Sequence, residues 1–310
     1  MTRILTHISI LTLTFSCILN SCLNASNNSD TAQTGYRFAY DLTSPDAEYK
    51  LQNILREISG ISWYKHNIIA CIQDEQAVIY LFDTEEERIS DSYSFGKHGD
   101  YEDIAVYQDT AWVLESNGTL YKVKKFSKEN RETLIYPTIL SARNNTEGLV
   151  YDVSGKYLLI ACKNQSYLNG REKLNGFKAI YRFGTSDNKL KENPEFLIDL
   201  TMVNDFIKTK YLKSGPLNLA KKLNLKDNPV FQPSGMAIHP LNDELYVISA
   251  TPGKLIVMSR GGNIKNILPL DKSIFSQPEG ICFSPEGDLY ISNEGKNGRG
   301  NILKFHYRPI

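Results

Sequence analysis

The chain has 310 residues, and its 35 lysines and arginines balance 35 aspartates and glutamates, so the formal net charge is zero. This balance, together with the lack of a basic patch interleaved with aromatic residues, excludes nucleic acid as an expected partner. Aromatic residues make up 11% of the chain and favour the half-buried faces of β-strands. The length suits one large all-β domain, which we expect to be monomeric.

Residues 1–21 have the organisation of an export signal. Arg3 precedes an apolar run that ends at Leu19-Asn20-Ser21-Cys22, and this run is too short for a spanning helix of about 20 residues. The tetrapeptide resembles a bacterial lipobox, so Cys22 is predicted to be lipidated and to anchor the chain in an envelope membrane, with the outer membrane as the expected location. An ordinary secretory signal with an incidental cysteine is the alternative.

Residues 22–35 are small and polar, which predicts a flexible tether. Residues 36–310 then form the folded domain. Its three cysteines, Cys71, Cys162 and Cys282, lie in apolar strand-like runs. We therefore expect three buried thiols and no disulfide.

A pattern of turn, short apolar strand, turn and returning strand is repeated along the domain. Its copies align on a glycine at positions 60, 148, 235 and 280 and on Asp103 in the second copy, with intervals of 43, 45, 87 and 45 residues. A repeat of about 40 to 50 residues with several strands is typical of a β-propeller blade. We predict a five-bladed β-propeller, with a helical insertion within the long interval. A six-bladed ring with a degenerate blade is the alternative.

The last blade lacks one strand in this scheme. Residues 36–42 are predicted to supply it by pairing beside residues 301–307, because closing the ring from both chain ends removes exposed strand edges.

The insertion, residues 201–230, lies between blades three and four. Its first half has apolar residues at helical spacing, and residues 201–227 carry six lysines against two aspartates. It is predicted to be either a basic lid over the channel mouth or a surface excursion packed on the blade edge.

Three strand starts carry a family resemblance: Tyr101-Glu102-Asp103-Ile104, Thr146-Glu147-Gly148-Leu149 and Pro278-Glu279-Gly280-Ile281. Together with the lipobox and the five blades, they resemble the SdiA-regulated (YjiK-like) β-propeller lipoprotein family and, more distantly, NHL-repeat propellers. The resemblance covers about residues 35–310. It implies a calcium-binding propeller without implying a particular reaction.

The residues themselves also predict a metal site. The innermost strand of each blade starts beside the central channel, so the residues just before the aligned positions should form a ring at one mouth: Ser59, Glu102, Glu147, Ser234 and Glu279. Converging carboxylates repel unless a cation or a proton lies between them, and hard oxygen ligands favour calcium. Glu102, Glu147 and Glu279 are the predicted calcium ligands, with Asp103 as a fourth. A set of solvated Glu-Gly turns is the alternative.

A polar shell is predicted around this ring, because the second strand of each blade returns to the same face. Its members are Glu115, Lys163 and Glu294, joined by Arg143 and His98 from incoming loops. They are predicted to bind an anionic or sugar-like ligand, or else to be solvated loop residues.

Three functions fit this pattern: a membrane-anchored module with a calcium ion that binds a ligand or partner, a calcium-dependent hydrolase of the lactonase, esterase or phosphodiesterase type, and a protein-interaction platform. The chain has no Gly-x-Ser-x-Gly, His-Glu-x-x-His or phosphate-binding Gly-Lys-Ser/Thr motif. No catalytic residue is therefore assigned from the sequence.

Overall fold

The computed structural model describes residues 36–168, 173–212, 230–296 and 298–309. The predicted signal, the tether and Cys22 lie outside these residues, as does the second half of the insertion.

Five antiparallel sheets, one per blade, account for the strands of the described chain. The first strand, β1 (Ala47–Lys50), belongs to the last blade. Blade one contains β2 (Ile58–Lys65), β3 (Ile68–Gln73), β4 (Val78–Asp83) and β5 (Arg88–Ser94), and blade two contains β6 (Tyr101–Tyr107), β7 (Thr110–Glu115), β8 (Leu120–Lys124) and β9 (Glu132–Tyr136).

The remaining blades follow in chain order. Blade three contains β10 (Thr146–Asp152), β11 (Tyr157–Cys162), β12 (Phe177–Gly184), β13 (Lys189–Leu190) and β14 (Phe196–Asp199). Blade four contains β15 (Pro233–Ile238), β16 (Leu245–Ser249), β17 (Lys254–Met258) and β18 (Ile264–Pro269), and blade five contains β19 (Pro278–Phe283), β20 (Leu289–Asn293) and β21 (Asn301–Phe305). The five-bladed propeller is confirmed, and the six-bladed alternative is wrong.

The ring closes through a different segment from the one predicted. Strand β1 pairs antiparallel with β21, whereas residues 36–42 form no strand. The aromatic residues of this segment pack instead beneath blades four and five, where Tyr40 and Leu42 are buried. The Tyr40 hydroxyl donates to the Gly287 carbonyl oxygen over 2.6 Å and lies 2.7 Å from His239 Nε2. Their alternating apolar pattern therefore reflects this burial and not sheet pairing.

The insertion begins where it was predicted, directly after β14. Helix α1 (Leu200–Ile207) is capped by Asp199, whose Oδ1 accepts from the Thr201 amide over 2.7 Å. Val203 and Ile207 are buried in the apolar cluster between blades three and four, and a π-helical turn, Lys208–Leu212, follows. The described part of the insertion thus packs on the edge of the ring.

Apolar side chains fill the space between every two neighbouring blades. At the centre, the innermost strands approach so closely that two of the aligned positions leave no room for a Cβ. A Cβ on Gly235 would lie 2.4 Å from the Glu279 carbonyl oxygen, and one on Gly280 would lie 2.9 Å from the Ile61 nitrogen. The aligned glycines of the repeat are therefore contact points between blades.

The side chains of Cys71, Cys162 and Cys282 are buried, as predicted, and their thiols are free. Within the ranges given above, no helix is both long enough and apolar enough to cross a membrane.

Candidate functional site

A β-bulge interrupts the innermost strand of every blade at the predicted ring. The pairing register with the second strand shifts between Ile58 and Gly60, Tyr101 and Asp103, Thr146 and Gly148, Pro233 and Gly235, and Pro278 and Ile281. In the first four blades the one residue passed over is the ring residue, Ser59, Glu102, Glu147 or Ser234, and in blade five it is Glu279 together with Gly280. A bulge leaves its extra residue unpaired and changes the direction of its side chain. The same kind of backbone irregularity therefore forms all five positions of the ring.

The three glutamates of the ring lie close enough to affect one another's ionisation. Burial, followed by the charge of Glu147, raises the pKa of Glu102 to about 9. The same two causes raise the pKa of Glu279 to about 8. Both side chains are therefore mainly protonated at neutral pH, because water is excluded and a third carboxyl group is close by.

Glu147 is the most buried of the three, with 4% of its surface exposed. Burial raises its pKa, but the charge and hydrogen bond of Lys163 and a hydrogen bond from Asn145 act in the opposite direction. Lys163 Nζ and Asn145 Nδ2 donate to the same oxygen, Glu147 Oε1, over 2.6 and 2.7 Å. The ammonium group of Lys163 thus provides a positive charge at the carboxyl ring, and these contacts favour the ionised form of Glu147.

A second tier of polar residues stands two positions before the ring in every blade: Glu57, Asp100, Asn145, Gln232 and Gln277. In three blades this tier interacts with the ring. The charge of Asp100 contributes to the raised pKa of Glu102, Asn145 bonds to Glu147, and a hydrogen bond from Gln277 opposes the raised pKa of Glu279. The sequence-based prediction missed this tier. The signal was the two-residue period of an extended chain, which puts residues i and i+2 on one face.

The two serines of the ring differ in their hydrogen bonding. Ser234 Oγ donates to the Pro278 carbonyl oxygen over 2.8 Å. Ser59 Oγ is buried and has no hydrogen-bond partner among the residues that the structure describes. The ring therefore combines three carboxyl groups with one unpartnered hydroxyl oxygen, and hard oxygen donors of this kind fit calcium. No three His, Cys, Asp or Glu side chains are arranged as a metal-holding group in the described part of the chain.

Asp103, the predicted fourth ligand, lies apart from this ring as a structural residue. Its carboxyl group is completely buried, and burial raises its pKa well above the ordinary value. Oδ1 accepts from the Ile104 amide over 2.8 Å, and Oδ2 accepts from the Leu149 amide of blade three over 2.7 Å. Both oxygens are therefore engaged, Oδ1 within blade two and Oδ2 in joining blade two to blade three.

The predicted outer shell is brought together only in part. Lys163 joins the ring, and Glu294, whose Oε2 is hydrogen bonded to Gln277, contributes to the raised pKa of Glu279. Glu115 accepts from the Tyr121 hydroxyl of its own blade over 3.0 Å. Arg143 and His98 lie exposed on loops. The candidate site thus consists of Glu102, Glu147, Glu279 and Lys163, bordered by Asp100 and Glu294.

Comparison with known proteins finds structures of similar fold but no related sequence. No family model matches the chain, and neither does any curated protein sequence. The solved glutaminyl cyclase of Myxococcus xanthus is 10% identical, covers 85% of this chain and 95% of its own, and superposes with a TM-score of 0.53.

Two further solved structures superpose less well. A luciferin-regenerating enzyme is 11% identical, covers 84% of this chain and 95% of its own, and has a TM-score of 0.49. A streptogramin B lyase is 12% identical, covers 84% of this chain and 97% of its own, and has a TM-score of 0.47. The five sheets make the chain a five-bladed β-propeller protein, and its resemblance to the SdiA-regulated family stays a prediction.

Proposed function

We propose that the channel mouth binds a calcium ion through Glu102, Glu147 and Glu279, and that the propeller is a ligand- or partner-binding module anchored through Cys22 to a bacterial envelope membrane. The observation that supports this proposal is the set of three carboxyl groups on bulges at the same mouth. Burial raises the pKa of all three, and repulsion by Glu147 raises the pKa values of Glu102 and Glu279 further.

The physical reason is charge compensation. Carboxyl groups held together away from water need a proton or a cation between them. At neutral pH, protons neutralise the carboxyl groups of Glu102 and Glu279, and the Lys163 ammonium group compensates the charge of Glu147. Glu102, Glu147 and Glu279 would hold calcium together, with the unpartnered Ser59 oxygen beside them. A bound ion would polarise an oxygen atom of the ligand. Lys163 would compete with it for Glu147.

Calcium is therefore expected to stabilise the folded chain. At a concentration one hundred times the dissociation constant, the free energy of unfolding should rise by about 2.7 kcal/mol. Differential scanning calorimetry with added calcium measures this rise. Glu147→Gln and Glu279→Gln should each reduce it, whereas Glu286→Gln, on an exposed turn of blade five, is the matched control and should not.

Lys163→Met provides a test in the opposite direction. Removal of the competing ammonium should tighten calcium binding by about tenfold, as measured by isothermal titration calorimetry. The proposal is wrong if the parent chain shows no calcium-dependent shift, or if both glutamine variants keep a shift of the parent's size.

A calcium-dependent hydrolase is the second candidate. One observation favours it: the mouth combines protonated carboxyl groups, Glu102 and Glu279, with Glu147, whose charged form Lys163 and Asn145 favour. Neighbouring carboxyl groups with different ionisation can act as acid and base. Calcium-dependent cleavage of chromogenic lactones, esters or phosphodiesters that is lost in Glu279→Gln would support this activity. Absence of turnover across these classes would exclude it for them.

A further inference from the structure

A cavity of about 560 Å³ lies on the face of the propeller that carries the acidic ring. It is formed by the 3-10 turn before β2, Asn53–Leu55, with the residues that follow it, and by Lys296, Gly298 and Arg299 between β20 and β21. Both segments belong to the face that carries the ring, because β2 starts there and β20 ends there. We refer to it as the basic cavity, since Arg56, Lys296 and Arg299 are among its lining residues.

The loop is held against the turn by backbone contacts. The Gly295 amide donates to the Arg56 carbonyl oxygen over 2.8 Å, and the Leu51 amide donates to the Gly300 carbonyl oxygen over 2.9 Å. Gly300 permits this approach, because a Cβ there would lie 2.8 Å from the Leu55 carbonyl oxygen. The two walls of the basic cavity are therefore fixed relative to each other.

The charges of the basic cavity are unequally compensated. Glu57, its acidic lining residue, forms an ion pair with Arg56 at 2.9 Å. Lys296 and Arg299 form no ion pair with another residue of the described chain. Two positive charges thus line the cavity without an ion-pair partner among the described residues, although the ring on the same face is acidic.

Space for a ligand remains beside Arg299. A Cβ added to Gly298 would meet no atom within 4 Å, and the Gly298 amide donates to the Gly295 carbonyl oxygen over 3.4 Å, so side chains and not the main chain would hold the ligand. An arginine fork and a lysine point charge are groups with which proteins bind phosphate. The volume also lies within the range of small-molecule sites, about 300 to 1,000 Å³.

We propose that the basic cavity binds a phosphate group, carried by a small soluble phosphoester or by the headgroup of a phospholipid. Lys296 and Arg299 contact the phosphate oxygens, and the missing side chain at Gly298 leaves room for the group. This site is separate from the calcium ring and does not depend on the function proposed above.

The experiment uses the full chain with Cys22→Ser, so that a lipid anchor contributes nothing to membrane binding. Inorganic phosphate is titrated calorimetrically at constant ionic strength, and sodium acetate is the comparison anion. In parallel, the protein is sedimented with vesicles of phosphatidylcholine with and without phosphatidic acid. The test variant is Lys296→Ala/Arg299→Ala, and the matched control is Arg37→Ala/Lys272→Ala, which removes one exposed arginine and one exposed lysine elsewhere.

The test variant should weaken phosphate binding at least tenfold, and the control should leave it unchanged. Phosphate binding without selective sedimentation indicates a soluble ligand, whereas sedimentation with phosphatidic acid that the test variant loses indicates a headgroup. The proposal fails if neither probe binds the parent, if acetate binds as tightly as phosphate, or if the control variant loses as much binding as the test variant.

Discussion

Asp103 occupies the position at which the other four blades have glycine. Its carboxyl group fits because Gly60 opposes it; a Cβ on Gly60 would lie 2.6 Å from Asp103 Oδ1. Because its two oxygens accept from the amides of Ile104 and Leu149, the substitution for glycine adds a hydrogen-bonded connection between blades two and three.

Asp103→Asn should therefore destabilise the fold. An amide side chain has one acceptor oxygen, so one backbone amide would face an NH₂ group, at a cost of about 2 kcal/mol. Urea unfolding of this variant measures the loss, with the exposed Asp91→Asn as the control. Equal stability of the two variants would contradict the role assigned to Asp103.

The close approach of the innermost strands leads to a second prediction at this scale. Gly235→Ala should cost about 2 to 3 kcal/mol, because its Cβ would lie 2.4 Å from the Glu279 backbone oxygen. Gly298→Ala meets open space and should be nearly neutral. Chemical unfolding of the two variants provides the comparison, and a neutral Gly235→Ala would show that the blades can move apart at the centre.

Among the elements, the segment formed by residues 36–42 shows where sequence patterns misled. Its apolar alternation is that of a strand, whereas the closing strand β1 has one buried residue among four, Tyr49. A short edge strand with so little periodicity carries no sequence signal of its own. Its position depends on pairing with β21, which lies more than 240 residues later in the chain.

The blades and the ring could be predicted because each rests on a local repeat. The spacing of the glycines shows where each repeat begins. The residue before each aligned position could then be assigned to the ring. The bulges could not be predicted, since a register shift is a property of two strands together. The contact between Lys163 and Glu147 depends on side-chain geometry across β10 and β11, which spacing does not specify.

The contact between residues 36–42 and blade four carries a pH dependence. His239 Nδ1 accepts from the amides of Leu241 and Asn242, so Nε2 bears the proton and faces the Tyr40 hydroxyl. Burial lowers the pKa of His239 to about 4 from its ordinary value of 6.5. The unfolded chain therefore binds a proton on this residue at a higher pH than the folded chain does.

Stability should consequently fall as the pH drops from about 6.5 to 4, by about 2 to 3 kcal/mol from this residue. His239→Asn cannot take up this proton, so it should flatten that part of the profile even if it lowers stability overall. Denaturant unfolding at several pH values measures the slope. The exposed His66→Asn should keep the parent's slope, and an unchanged slope in His239→Asn would count against this assignment.

For the whole molecule, a single substitution at Cys22 tests the predicted location at a membrane. Cys22→Ser should leave the protein soluble or unprocessed, because lipidation requires the thiol, whereas Cys17→Ser, within the predicted signal, should still fractionate with membranes. Fractionation and mass spectrometry of the mature N-terminus provide the measurement. Membrane association of Cys22→Ser equal to that of the parent would refute lipid anchoring at this cysteine.

The five bulges also bear on how such a protein can change over evolutionary time. A residue that belongs to no strand pair contributes little to sheet register, so its identity can vary without disturbing the neighbouring blades. Serine and glutamate already alternate at this position while the surrounding pairing is the same. New combinations at the mouth can therefore arise one blade at a time, each on a chain that still folds, and selection on binding can proceed separately from selection on stability.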